Sequence, residues 1–198
     1  MDLYRSKSAI VRGLEPLVDR LARAGVSPDA VTLAAVPVGI LAGGCLLLSP
    51  TVPALLLAVP LLAILRLVLN LLDGALARQT GRTHPRGELY NEVGDRVADI
   101  AFLAPVAFLP GANQAVVLLG VVGAVLASFA GLAPRAAGGA RIYRGILSKP
   151  GRMALLSVFA VAALVAGPAA WGLFGPLLLV GTILTAVERM VVGIRRLA

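Results

Sequence analysis

The chain has 198 residues, 59% of them hydrophobic and 14% charged, with a mean hydropathy of +0.91. A water-soluble domain of this size does not stay in solution with that balance, so the composition points to a membrane protein. Lys and Arg outnumber Asp and Glu by 18 to 10, a net charge of +8. The basic residues are not interleaved with aromatic ones as a base-stacking surface requires, so no nucleic-acid partner is expected, and the single Cys45 excludes an intrachain disulfide.

Residues 1–26 come first. Leu3, Ile10, Leu14, Leu17, Val18 and Leu21 recur at helical spacing while Arg5, Arg12, Asp19 and Arg23 fall elsewhere, which predicts an amphipathic helix on the cytoplasmic interface. No cleavable signal peptide is expected, because this stretch is charged throughout and lacks a short apolar core. Ser27 and Pro28 then supply a cap and a first helical residue.

Residues 27–198 read as a single membrane domain of six transmembrane helices, with apolar runs at 30–48, 52–76, 92–109, 114–133, 152–167 and 170–188. The fold class is therefore an all-α integral membrane protein. Helices are expected because lipid offers the backbone no outside partner, and the runs lack the alternation of a barrel. Gly39 and Gly43, spaced G-x3-G, suit a helix contact. The connections SPTV, PGAN and GPAA carry no charge, whereas the N-terminus, the 78–86 segment, the 135–152 segment and the C-terminus are basic. The positive-inside tendency then predicts a multi-pass protein of the cell membrane with both termini cytoplasmic, and it puts Trp171 and Phe174 at the outer interface. Anionic lipid headgroups and phosphorylated substrates are the expected partners of the basic loops.

Acids gather in one place. On a helical wheel Glu88, Asn91, Glu92, Asp95 and Asp99 fall within about 100° of each other, and Asn70 and Asp73 share a face of the preceding helix with Gly74 beside them. A carboxylate at mid-bilayer costs roughly 2.5 to 3.5 kcal/mol, and clustering adds repulsion, so positive charge must compensate. Two readings meet that need: Mg²⁺ or Mn²⁺, which prefer all-oxygen ligands, and an ion-pair network with cations such as Arg66, Arg78 and Arg96. Acids in a membrane also suit a divalent-cation path, but the outer halves of spans two and three offer few polar groups to continue one.

The run DGALAR, followed by eight residues and GELYNEVGD, resembles the signature of the CDP-alcohol phosphatidyltransferase family, D-x2-D-G-x2-A-R-x8-G-x3-D-x3-D. Asp73, Gly74, Ala77, Arg78, Gly87 and Asp95 match at every spacing, while Asn70 and Asn91 stand where the family has its first and third Asp. The resemblance implies a phosphatidyltransferase that moves a phosphatidyl group from CDP-diacylglycerol to a small alcohol, phosphorylated or not, with release of CMP. It implies Mg²⁺ or Mn²⁺, one or two ions, held by Asn70, Asp73, Asn91 and Asp95, with Glu92 and Asp99 as additional acids on that face. Asp95 is implied as the catalytic base, and Asp73, Gly74, Ala77, Arg78 and Gly87 as the CDP-lipid site. The two Asn residues keep a carbonyl oxygen but lose the charge, which also admits a CDP-lipid-binding homologue with weak or no turnover. The family's dimeric habit implies a homodimer.

For the acceptor, Arg135, Arg141, Arg144, Lys149 and Arg152 are candidate phosphate ligands, although a solvated positive-inside loop has similar content. Arg66, inside an apolar run one turn before Asn70, is expected to face the bundle interior, pairing with an acid such as Asp99 or holding a substrate phosphate. His84 is expected in a surface loop.

Overall fold

A computed structural model of the chain describes residues 3–197, with side-chain surroundings from residue 13 onward. Leu3, Arg5, Ile10 and Arg12 therefore lie outside the residues whose side chains are described.

Helix α1, Leu3–Arg23, ends on Gly25 at φ 72°, where the amide of Val26 reaches back to the Leu21 carbonyl at 3.0 Å. This left-handed stop suits glycine, which has no Cβ to clash. Helix α2, Pro28–Leu48, starts as its sequence predicts: the Ser27 hydroxyl accepts from the Ala30 amide at 3.1 Å, and Pro28 occupies the first turn, where no amide is needed. A 3₁₀ turn at Pro53–Leu57 leads into α3, Ala58–Thr80, and α4 covers Pro85–Leu103 with a 3₁₀ turn continuing to Phe108. The remaining helices are α5, Gln114–Ala136, α6, Lys149–Ala166, and α7, Trp171–Leu197.

Five segments are long and apolar enough to cross a bilayer: α2, α3 with its preceding turn, α5, α6, and α7 with its preceding turn. The chain is accordingly an all-helical, multi-pass membrane protein. The predicted third span corresponds to α4, whose 19 residues reach about 28 Å but include Glu88, Glu92, Asp95, Arg96 and Asp99. Length suits a crossing there; composition does not mark one.

The core shows how the helices close. Gly39 and Gly43 do form a helix contact, and they form it within the chain. A Cβ on Gly43 would sit 2.4 Å from the Ala101 carbonyl oxygen, and one on Gly39 would sit 3.0 Å from that of Ala98, so α2 and α4 touch backbone to backbone. The seam between α5 and α7 is built the same way, with Gly120 against Leu178, Gly123 against Thr182 and Gly175 against Val117. Trp171 and Phe174, expected at the outer interface, are 2% and 0% exposed. They pack edge to face at 5.8 Å, and Phe159 meets Phe174 in the same way, so these rings fill the core beneath the uncharged turn instead of belting the membrane. Val18 of α1 is buried against Leu72 and Leu76 of α3, with Leu14 and Leu21 alongside, so the amphipathic face of α1 docks on the bundle.

Candidate active site

The acidic face of α4 meets cations along its whole length. Glu88 pairs with Arg135, Glu92 with Arg141 and Arg96, Asp95 with Lys149, and Asp99 with Arg152 and Arg66. Exposure of the acid side chains falls from 41% at Glu88 to 12% and 16% at Glu92 and Asp95, then to 5% at Asp99. Coulomb attraction strengthens in that order, because the effective dielectric falls with depth.

The deepest rung is a buried triad. Arg66 Nη2 and Arg152 Nη2 each lie 2.6 Å from an Asp99 oxygen, and both arginines are almost wholly inaccessible. Arg66 also donates to the Asp95 carbonyl at 3.1 Å, contacts Met153 Sδ at 3.4 Å and lies over the Phe102 ring at 5.6 Å. Arg66 thus takes one of its two expected partners, Asp99, and ties α3 to α4 and α6. Glu92 and Asp99, expected as additional metal ligands, spend their oxygens on arginines.

Asp73 has different surroundings. One oxygen accepts from the Thr32 hydroxyl of α2 at 2.8 Å and the other from the Gly74 amide at 2.6 Å. It is 5% exposed and has no salt-bridge partner among the described residues, though Asp95 and Lys149 lie near enough for their charges to act on it. Asn70 donates its amide to the Arg66 carbonyl at 2.9 Å, and its own carbonyl oxygen is buried without a hydrogen-bond partner. Asn91 is half-buried on the α4 face. Among the described residues no three Asp, Glu, His or Cys side chains converge as a metal cage.

The small motif residues have local reasons. Arg78 lies close to Gly74: its Nη1 would be 3.4 Å from a Cβ there, an ordinary contact. Gly87 lets the start of α4 approach α2, because a Cβ would meet Asp29 Oδ1 at 2.8 Å. His84 caps α4 by accepting the Gly87 amide at Nδ1, 2.9 Å away, and reaches Asp29 at 3.2 Å with Nε2. Its place at an exposed helix end agrees with the surface role expected for it.

The expected acceptor residues Arg66, Arg135, Arg141, Arg144, Lys149 and Arg152 are all engaged with acids, Arg144 with Glu188 at 2.6 Å. Two residues on α7 that sequence reasoning did not single out hold the segment bearing Arg141 and Arg144. Arg189 donates to the carbonyls of Arg144, Tyr143 and Ala127 at 2.8, 3.1 and 2.7 Å, and the Thr185 hydroxyl accepts the Leu147 amide at 2.9 Å. Their spacing of four on α7 was the available signal, but Arg189 reads in sequence as one more cytoplasmic cation.

No family model matches the chain. The inner membrane protein YnbA of Escherichia coli (strain K12) is 34% identical over 162 residues, which cover 82% of this chain and 80% of YnbA. The chain belongs to the YnbA family. Solved structures give this YnbA relative its fold. The Mycobacterium tuberculosis phosphatidylinositol phosphate synthase PgsA1, a CDP-alcohol phosphatidyltransferase, superposes with a TM-score of 0.72 in its CDP-DAG-bound form, at 23% identity over 92% of each chain. The form with manganese and citrate gives a TM-score of 0.73 at 24% identity, over 90% of this chain and 87% of that one. This member of the YnbA family therefore has the PgsA1 fold.

Proposed function

We propose that the chain transfers a phosphatidyl group from CDP-diacylglycerol to an alcohol and releases CMP. The observation that carries this reading is the placement of Asp73, Gly74, Arg78 and Asp95, which match the phosphatidyltransferase motif, on α3 and α4 of a fold shared with a CDP-DAG-bound enzyme. The basic segments and charge-free turns support six crossings with both termini cytoplasmic, so that the site opens at the inner headgroup level.

Divalent metal fits part of the donor set. Asp73 is a buried carboxylate without a cationic partner among the described residues, Asn70 has an orphaned buried carbonyl oxygen among them, and Lys149 bonds Oδ1 of Asp95 while Oδ2 has Arg96 at 3.9 Å, beyond hydrogen-bond distance. Such hard oxygens suit Mg²⁺ or Mn²⁺, and a PgsA1 structure was obtained with manganese. Asp73, Asp95 and Asn70 would hold one ion, with Asn91 offering a further carbonyl from the same face of α4. When bound, the metal neutralises charge on the diphosphate oxygens.

The chain's own residues supply the rest. Asp95 accepts the proton of the acceptor hydroxyl as its oxygen bonds to the lipid-bearing phosphorus. The P–O bond to CMP breaks, and its electron pair leaves on the CMP phosphate, which Arg78 binds above Gly74. Thr32 fixes the Asp73 carboxylate, and the Arg66 bond to the Asp95 carbonyl sets the position of α4. The test is CMP release from CDP-diacylglycerol by purified protein with Mg²⁺ or Mn²⁺ and a panel of glycerol 3-phosphate, inositol 1-phosphate, inositol and serine. Release that stops with chelator and in Asp95→Asn is expected; no release with any acceptor overturns the reading.

A second reading draws on Asn70, Asn91 and the lack of three converging acids: a CDP-lipid-binding homologue with little or no turnover. CMP release appearing only after Asn70→Asp and Asn91→Asp would favour it.

A further inference from the structure

The connection between α5 and α6, residues 137–148, turns back along the bundle after leaving α5. Its Ile142 amide donates to the Gly131 carbonyl at 2.9 Å, about 7.5 Å from the end of α5 by helix rise. Its Leu147 amide then donates to the Thr185 hydroxyl at 2.9 Å, about 18 Å from the end of α7. Helix α6 begins only there, and it has 18 residues against 23 in α5 and 27 in α7. Glycines permit the close return. A Cβ on Gly131 would lie 2.6 Å from the Ile142 carbonyl oxygen, and one on Gly145, at φ 133°, would lie 2.4 Å from Thr185 Cγ2.

Irregular backbone that enters the hydrocarbon region must find protein partners for its polar groups, because lipid offers none. This segment finds them. Arg189, only 7% exposed, donates to the carbonyls of Tyr143 and Arg144, and Arg152 donates to the Leu147 carbonyl at 3.2 Å. A solvated loop needs no such supply, since water serves its backbone. The side chains agree: Ile146 and Tyr143 are 75% and 70% exposed, and around Thr185, where the segment meets α7, Ile183, Leu184 and Val187 are exposed too, in a helix long and apolar enough to cross a bilayer. Arg144 reaches Glu188, one turn closer to the C-terminal end than Leu184, as a snorkelling cation does. We propose that residues 140–148 form a re-entrant segment seated in the leaflet at the C-terminal end of α7, with Ile146 against lipid acyl chains and Tyr143 at the headgroup boundary. This part of the basic 135–152 stretch is then a lipid-contacting piece of the bundle and not a solvated loop. The inference is independent of the phosphatidyl transfer proposed above.

The test places single cysteines in the full-length protein carrying Cys45→Ala, reconstituted in lipid nanodiscs. Ile146→Cys is compared with Leu184→Cys on the apolar flank of α7 and with Thr83→Cys in the exposed connection before α4. A water-soluble maleimide is expected to label Ile146→Cys and Leu184→Cys several-fold more slowly than Thr83→Cys, with all three equal once the protein is unfolded in detergent. The same cysteines are then labelled in detergent with an environment-sensitive fluorophore and reconstituted. Nitroxide-bearing acyl chains should quench the probe at position 146 as they quench the one at 184, and iodide should quench only the one at 83. Maleimide labelling and iodide quenching at position 146 that match those at 83, or a probe at 146 untouched by the acyl-chain nitroxide, overturns the assignment.

Discussion

Asp99→Asn tests whether the deepest acid of α4 is a structural counter-ion. The substitution keeps size and shape but removes the negative charge shared by Arg66 and Arg152, which are 0% and 1% exposed. Breaking a buried pair by deleting one partner costs about 3–5 kcal/mol, because an uncompensated charge stays behind. Some compensation survives: Arg66 keeps the Asp95 carbonyl and the Phe102 ring face, and Arg152 keeps the Leu147 carbonyl at 3.2 Å. The expected loss is therefore about 3 kcal/mol, at the lower end of that range. Equilibrium unfolding in detergent reads it directly. Replacing all three residues together, as Arg66→Met, Asp99→Leu and Arg152→Met, should return much of the lost stability, since an apolar set leaves no buried charge. A loss under about 1 kcal/mol in Asp99→Asn, the size typical of a surface pair, would refute the buried-triad reasoning.

Other consequences are local. Gly43→Ala forces a methyl toward the Ala101 carbonyl and should cost about 1–3 kcal/mol in thermal or denaturant unfolding, while Gly44→Ala, with nothing within 4 Å, should cost little. Arg189→Met removes two hydrogen bonds to the segment after α5 and one to α5 itself, so trypsin should cut at Arg141 and Arg144 several-fold faster than in wild type, with the core still folded. Thr32→Val removes the side-chain donor to Asp73 and should lower Mn²⁺ affinity by about tenfold, the worth of one hydrogen bond to a charged group, whereas Thr32→Ser should keep it.

Much of the architecture was legible because lipid imposes simple rules. Apolar runs of bilayer length located α2, α3, α5, α6 and α7, and the Ser27-Pro28 cap set the start of α2. The acidic face of α4 was equally plain, since Glu88, Glu92, Asp95 and Asp99 follow helical periodicity. Their partners were not, because Arg141, Lys149 and Arg152 lie 49, 54 and 53 residues away and only tertiary folding selects among many cations. Positive-inside counting treats all these residues alike, and it hid Arg189, which binds backbone carbonyls. Trp171 and Phe174 misled for a related reason: an aromatic residue at a predicted membrane edge has the same sequence context whether it turns toward lipid or into the bundle. Gly43 marked a close helix approach, but spacing alone does not say whether the neighbour belongs to the same chain.

Titration with Mn²⁺, followed by electron paramagnetic resonance, most directly tests the proposal that Asp73 and Asp95 share one ion. A saturable Mn²⁺ site is expected in wild type, lost in Asp73→Asn and in Asp95→Asn, and retained in Glu92→Gln, whose acid serves arginines instead. Binding that survives both Asp73→Asn and Asp95→Asn, or no saturable site at all in wild type, would contradict it.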